Sequence, residues 1–174
     1  MATIDLIVLG MLRKEALSAY DIQKLVEYRK ISQWVKISTP SIYKKVIQLE
    51  EKGYVKGEAV KEGNFAEKVI YHLTDSGISE FEKLMLEISE KPIQMFLDFN
   101  AVIVNIRNLP KGEQEICIQN IERNIKQIKS ELNENIEEKQ NLKEIPELGM
   151  AVLYQQYALA EALEKWIQSV QKEL

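Results

Sequence analysis

The 174-residue sequence contains one cysteine, Cys117, and one histidine, His72. A single cysteine excludes an intramolecular disulfide and suits a reducing, cytoplasmic setting. One cysteine and one histidine are too few for a His/Cys zinc site, so no metal and no cofactor are expected. No apolar run reaches the ~18 residues from which a transmembrane helix is read, and no membrane partner is expected. The apolar stretch in MATIDLIVLGMLRKEALSAYD has no basic region before it and no small-residue cleavage site after it. It reads as the first helix of a folded domain, not as a signal peptide. Also missing are a phosphate-cradling glycine loop and a nucleophile–base pair, so no catalytic residues are expected. There is no internal repeat and no low-complexity linker.

What is present is a core-forming composition, 45% apolar, and an uneven charge. The net charge of −4 argues against a nucleic-acid partner until its distribution is considered. Residues 13–73 carry twelve Lys/Arg against eight Asp/Glu; residues 92–174 carry nine against thirteen. A basic first part joined to an acidic second part suggests one surface facing a polyanion and another facing protein or solvent.

Ile4, Ile7, Val8 and Met11 form one apolar stripe at helical spacing. Arg13 and Lys14 close that helix with cations at the negative end of its dipole. Ser18-Ala19-Tyr20-Asp21 has the spacing of a capping box, opening a second helix with Ile22, Leu25 and Val26 inward. Residues 28–37 are mixed and read as a continuation or a second short piece. A third helix follows. Ser38 or Thr39 caps it, Pro40 sits in its first turn, and Gly53 stops it at C′. Ile42, Val46 and Leu49 face inward. At 100° per residue, Pro40, Lys44, Ile47, Gln48 and Glu51 then point outward, with Ser41, Tyr43 and Lys45 on the flanks. Tyr54–Val60 and Lys68–Leu73 read as two strands of a hairpin with its tip at Lys61-Glu62-Gly63-Asn64. Thr74-Asp75-Ser76 opens a further helix with Ile78, Phe81, Met85 and Ile88 as its stripe, and Pro92 interrupts it.

The remainder reads as all helical. Residues 93–107 are apolar on nearly every side, which predicts a helix buried from more than one direction. Residues 113–144 read as one long helix. In it Ile118, Ile121, Ile125, Ile128 and Leu132 step by three and four, a coiled-coil-like seam that decays into Asn135 and Lys139. Residues 150–172 form a last amphipathic helix with Leu153, Tyr157, Leu163, Trp166 and Val170. The fold class expected is mainly α with a small β wing. A winged helix-turn-helix occupies residues 1–91 and an all-helical dimerisation and effector domain residues 92–174. The seam, with Tyr157 and Trp166, is the expected dimer contact.

A helix that enters the major groove needs a narrow, polar outer face. Lys44 lies in the N-terminal half of the third helix, able to meet phosphates or bases, with Lys45 beside it. Glu50 and Glu51 lie at the end that leaves the groove. Ser18 and Tyr20 open the second helix, whose exposed N–H groups suit a phosphate. Lys61, Asn64 and Lys68 lie on or near the hairpin, beside the flanking backbone or minor groove. Trp34 and Trp166 are candidates for lining an effector pocket, set against the commoner role of large aromatics in core or interface. His72 reads as an exposed wing residue and Cys117 as a packing residue.

Three blocks in order, LRKEALSAYDI, STPSIYKKVIQLEEKGYV and KVIYHLTDSGISEFEKLM, resemble the PadR family of bacterial transcriptional regulators. PIQMFLDF and YALAEALEKWI resemble the subgroup with a long C-terminal helical domain, so the likeness runs over essentially the whole chain. One departure is Ala19, where the family often has glycine. The resemblance implies a homodimer on inverted-repeat double-stranded operator DNA, usually a repressor, with the C-terminal helices as dimer interface. In some members an aromatic small molecule releases the DNA. Carried to matching positions, it implies Tyr20, Thr39, Ser41, Tyr43, Lys44 and Lys68 as DNA contacts, and no ligand residues. The rival reading is a protein-interaction adaptor that uses the winged helix and helical tail without specific DNA binding.

Overall fold

A computed structural model describes residues 2–35, 37, 41–61, 68–142 and 145–174. The chain divides into two compact units, Met1–Ile93 and Gln94–Leu174. The first contains α1 (Ala2–Leu12), β1 (Leu17–Ser18), α2 (Ala19–Tyr28), a 3₁₀ turn (Ile31–Gln33), α3 (Ser41–Glu51), β2 (Val55–Val60), β3 (Lys68–Leu73) and α4 (Asp75–Ser89). The second contains α5 (Phe99–Asn105), a 3₁₀ turn (Ile106–Asn108), α6 (Lys111–Lys139) and α7 (Glu147–Glu173). The order of elements in the first unit is that of a winged helix-turn-helix, and the second unit is all helical. No helix among the described residues is long and apolar enough to cross a membrane.

In the first unit Val8 and Leu9 of α1, Ile22 and Val26 of α2, Ile42, Val46 and Leu49 of α3 and Val55 of β2 are fully buried together. The three α3 residues are those whose spacing set its inner face. The expected caps Ser38 and Thr39, and Pro40, lie outside the described residues. Gly53 takes φ +73°, the left-handed conformation that favours glycine. Its N–H donates to the Glu50 carbonyl at 2.8 Å and the Tyr54 N–H to the Leu49 carbonyl at 2.9 Å. This is the paired bonding of a Schellman stop, which turns the chain from α3 straight into the wing.

The sheet has three antiparallel strands in the order β1-β3-β2. Its short first strand, in which Leu17 faces Tyr71 and Ser18 faces Ile70, is not legible in the sequence. Two residues are too few to show alternation. The β2–β3 ladder runs from Val55–Leu73 to Val60–Lys68. Residues 62–67, with the expected tip residue Asn64, lie outside the described residues. Val69, expected to share a face with Tyr71 and Leu73, is exposed near the far end of the ladder.

The root of the wing is tied to α3 and α4 by named bonds. The Glu50 carboxylate accepts the Gly57 N–H at 2.8 Å, spanning from the end of α3 to β2. Burial, and secondarily the nearby Glu50 charge, push the Tyr71 hydroxyl above the usual tyrosine range. Thr74 caps α4: its Oγ1 accepts the Gly77 N–H at 3.1 Å and donates to the Gly53 carbonyl at 2.7 Å. A Cβ on Gly77 would lie 2.0 Å from the Tyr54 carbonyl oxygen, so α4 packs where only glycine fits. The buried line of α4 includes Gly77 and Leu84, with Phe81 packed partly beneath; Met85, expected inward, is half exposed. Two apolar stripes overlap one residue apart on this helix, and the glycine in the true one hid it.

In the second unit α6 and α7 pack as an antiparallel hairpin. Ile106, Ile118, Ile121, Ile125 and Ile167 form its core, with Phe99, Cys117 and Trp166 partly buried against it. The Phe99 and Trp166 rings stack at 5.5 Å. Lys129 on α6 donates to Glu164 on α7 at 2.6 Å, which holds the Glu164 carboxyl below the usual glutamate range. Three expectations are corrected here. Residues 93–97 are not helical, and α5, seven residues long, has no buried side chain, with Phe96 82% and Val104 80% exposed. The neighbours that the apolar pattern demands are absent from a single copy. α6 ends at Lys139, five residues short of the expected end. Its buried face runs on through Asn135, Ile136 and Lys139 instead of decaying, whereas Ile128 of the seam is exposed and Leu132 half-buried. The Asn135 amide, fully buried, has no partner among the described residues.

Two substitutions test this scaffold. Gly77→Ala is expected to lower stability by about 2–3 kcal/mol, measured by urea unfolding, because its methyl group would meet backbone. Glu50→Ala is expected to raise the amide exchange rate at Gly57 several-fold while leaving α1 protection unchanged; equal rates would show that the Glu50 bond does not hold the wing.

Candidate nucleic-acid interface

The candidate face is built from the outer sides of α2 and α3 and from the wing. At the start of α2 the capping box forms as its spacing predicted. The Ser18 Oγ accepts the Asp21 N–H at 3.1 Å and donates to Asp21 Oδ2 at 2.7 Å, while the Ser18 N–H donates to the same carboxylate oxygen at 3.2 Å. Ser18 is buried with its hydroxyl committed to Asp21, so its role is to cap α2, not to touch a ligand. Tyr20, one residue into the helix, is 56% exposed.

Lys24, one turn beyond Tyr20, is a residue that sequence reasoning missed. Its ammonium lies 5.4 Å from the Tyr20 ring centroid and 3.2 Å from Glu27 Oε2. The Glu27 hydrogen bond and charge, then Tyr20 and Tyr43, hold Lys24 above the usual lysine range. Since Tyr43 belongs to α3, Lys24 bridges the exposed faces of both helices. Glu27 in turn is held below the usual range by hydrogen bonds from Gln23 first and Lys24 second. The signal was available: Lys24 falls opposite Ile22 and Val26 and four residues after Tyr20, the spacing of neighbours on one helix face.

On α3 the outward residues are Tyr43, Lys44 and Ile47, all exposed, with Ser41 half-buried and already engaged with another group. Thr39 lies outside the described residues. No acidic side chain occurs between Ser41 and Gln48. Ile47 offers an apolar group at the centre of the face, of the kind that meets a thymine methyl. Lys45, expected on the flank, turns toward α1, where its ammonium meets Asp5 at 2.8 Å. Lys61 and Lys68 are exposed where the described part of the wing ends, and Lys56 is exposed on β2. His72 lies across from Lys56 with Nε2 3.8 Å from Glu58.

The residues proposed for other roles fall elsewhere. Trp34 packs against the core of the first unit and Trp166 against Phe99 in the second, so each has a packing role in a different unit. Tyr157 is half-buried with the Lys129 ammonium 5.7 Å from its ring centroid. Among the described residues no cluster of His, Cys, Asp and Glu is placed to hold a metal ion.

Comparison with known proteins places this geometry. Residues 8–83 match the model of the transcriptional regulator PadR-like family. The negative transcriptional regulator PadR of Bacillus subtilis (strain 168) is 30% identical over 86 residues, 49% of this chain and 47% of that protein, so the match spans about half of the relative. The crystal structure of Bacillus subtilis PadR in complex with operator DNA superposes with a TM-score of 0.81 at 23% identity, covering 97% of each chain. The same protein in complex with p-coumaric acid gives a TM-score of 0.79 at 22% identity, covering 96% of this chain and 92% of that one. At these identities the structural likeness is one of fold. The relatives are transcriptional regulators, not enzymes. Through residues 8–83 the chain belongs to the PadR-like family of transcriptional regulators.

Proposed function

We propose that this regulator binds double-stranded DNA sequence-specifically as a homodimer on an inverted repeat, acts as a repressor in the cytoplasm, and releases its operator on binding a small aromatic effector. Residues 1–91 bind the DNA and residues 92–174 carry dimerisation and the effector. The observation that carries this is the outer side of α2 and α3, where Tyr20, Lys24, Tyr43, Lys44 and Ile47 are exposed and α3 has no carboxylate before Glu50. Lysines and hydroxyls set the register on phosphates, and the outward side chains of α3 read base edges. Lys61 and Lys68 extend the contact from the wing. The Bacillus subtilis relative is described as a negative regulator, and its solved complexes with operator DNA and with p-coumaric acid support repression and an aromatic ligand.

Dimerisation is supported by the apolar surface that one copy of the second unit leaves open. Phe96, Val104, Ile116, Ile128, Leu148 and Tyr154 are exposed, more than a stable monomer commonly presents in one small unit. An open apolar hollow of about 180 Å³ lies among Leu97, Phe99, Ile125, Ile128, Ala160 and Leu163. Of the expected seam only Ile128 faces outward, so the contact between copies falls on this outer surface, while Ile118, Ile121 and Ile125 hold the hairpin. A two-fold axis then sets two copies of α3 about 34 Å apart, on successive turns of one duplex face.

Selection from random duplexes is expected to return an inverted repeat with half-site centres about 10 base pairs apart. On the selected site, Lys44→Ala and Lys24→Ala are each expected to weaken binding. Each should also make the slope of log K against log salt shallower, by about 0.9 for every phosphate that a bound subunit no longer neutralises. Affinity that stays near ~10⁻⁴–10⁻⁶ M for every sequence would favour the adaptor reading instead. Adding p-coumaric acid is expected to lower operator affinity; an unchanged affinity would remove that ligand from the account.

A further inference from the structure

α3 carries two adjacent lysines, and the fold treats them in opposite ways. Lys44 is exposed. Lys45 crosses to α1, with Nζ 2.8 Å from Asp5 Oδ1 and both side chains only 14% exposed. Asp5 Oδ1 has no aligned hydrogen-bond donor among the described residues, so what holds it is the charge of Lys45. The Lys24–Glu27 and Lys83–Glu87 pairs differ: each lies within one helix and keeps 40% or more of both side chains exposed. Asp5 and Lys45 lie 40 residues apart in the sequence and join two helices of the core.

A cation already matched to a poorly hydrated carboxylate has little to gain from a phosphate and releases no counterion when DNA arrives. Neither partner leaves without stranding the other's charge out of water. The pair also ties the rotation of α3 about its own axis to α1, and so fixes the direction in which Lys44 and Ile47 point. Resting on the DNA-binding reading above, we infer that Asp5 withholds Lys45 from the duplex: Asp5 and Lys45 are positioning residues that aim α3 and keep its non-specific attraction for DNA low. The arrangement gives up one phosphate contact in favour of discrimination among sequences, since phosphate contacts strengthen binding to every site alike.

The test uses the full-length chain and a duplex of random sequence, with binding titrated from about 50 to about 200 mM salt. Lys45→Met is expected to keep the wild-type salt slope. Asp5→Asn frees the ammonium and is expected to steepen the slope by about 0.9 and tighten random-duplex binding roughly fivefold or more. Asp5→Asn with Lys45→Met, which leaves no stranded charge and therefore remains a test if Lys45→Met folds poorly, is expected to return to the wild-type slope. A shallower slope in Lys45→Met or in the double variant would make Lys45 a phosphate contact and overturn the inference. So would an unchanged slope in Asp5→Asn. Lys44→Ala separates this from the reading beneath it. If that slope becomes shallower while the Asp5 and Lys45 variants behave otherwise than stated, only the inference fails. If the wild-type chain shows no salt-dependent binding, the DNA-binding reading fails and takes the inference with it.

Discussion

Everything on the candidate face depends on the burial of Ile42, Val46 and Leu49. These three side chains are fully buried with Val8, Leu9, Ile22 and Val26, and their angular position decides which side of α3 is left outside. Burying three such side chains contributes about 5–9 kcal/mol as an upper figure. A surface ion pair contributes about 0–1 kcal/mol. Core packing therefore sets the rotation of α3, and the polar contacts only trim it. Two of them act near its ends: Lys45 to α1 in the first half, Glu50 to the wing in the last turn.

The same logic resolves an apparent contradiction in the charge. A chain with net charge −4 is a poor match to a polyanion if its carboxylates are spread over the contact surface. In the first unit several are occupied by the fold. Asp5 faces Lys45, Asp21 closes the capping box on Ser18, Glu27 accepts from Gln23 and Lys24, and Glu50 accepts from the Gly57 backbone. Each carboxylate does a structural task on or beside α2 and α3. Lys44, Lys61 and Lys68 remain exposed. Glutamates at the end of α3 thus have a local reason beyond leaving the groove: one of them fastens the strand that carries the wing.

Much of this was legible in the residue pattern, for identifiable reasons. Helical spacing placed Ile22, Val26, Ile42, Val46 and Leu49 inward, hydrogen-bond chemistry marked Ser18–Asp21, and Gly53 marked the end of α3 with its positive φ. What escaped depends on contacts distant in sequence. Asp5–Lys45 joins helices 40 residues apart, and the Gly57 bond to Glu50 depends on how the wing folds back. β1 is too short to carry a period, and Leu84 was hidden by the adjacent stripe through Met85. The error over residues 93–107 has another origin. The apolar pattern correctly signalled surface that needs covering, but the covering partner is not part of one copy's fold.

The central claim is that the outer sides of α2 and α3, with the wing, meet the duplex while the second unit does not. Amide hydrogen exchange of the full-length chain, with and without a selected duplex, tests it most directly. Protection gained on DNA binding should concentrate at residues 19–28, at 41–51 and on the strands bearing Lys61 and Lys68. Protection confined to residues 94–174, with α3 exchanging at its free rate, would contradict the account.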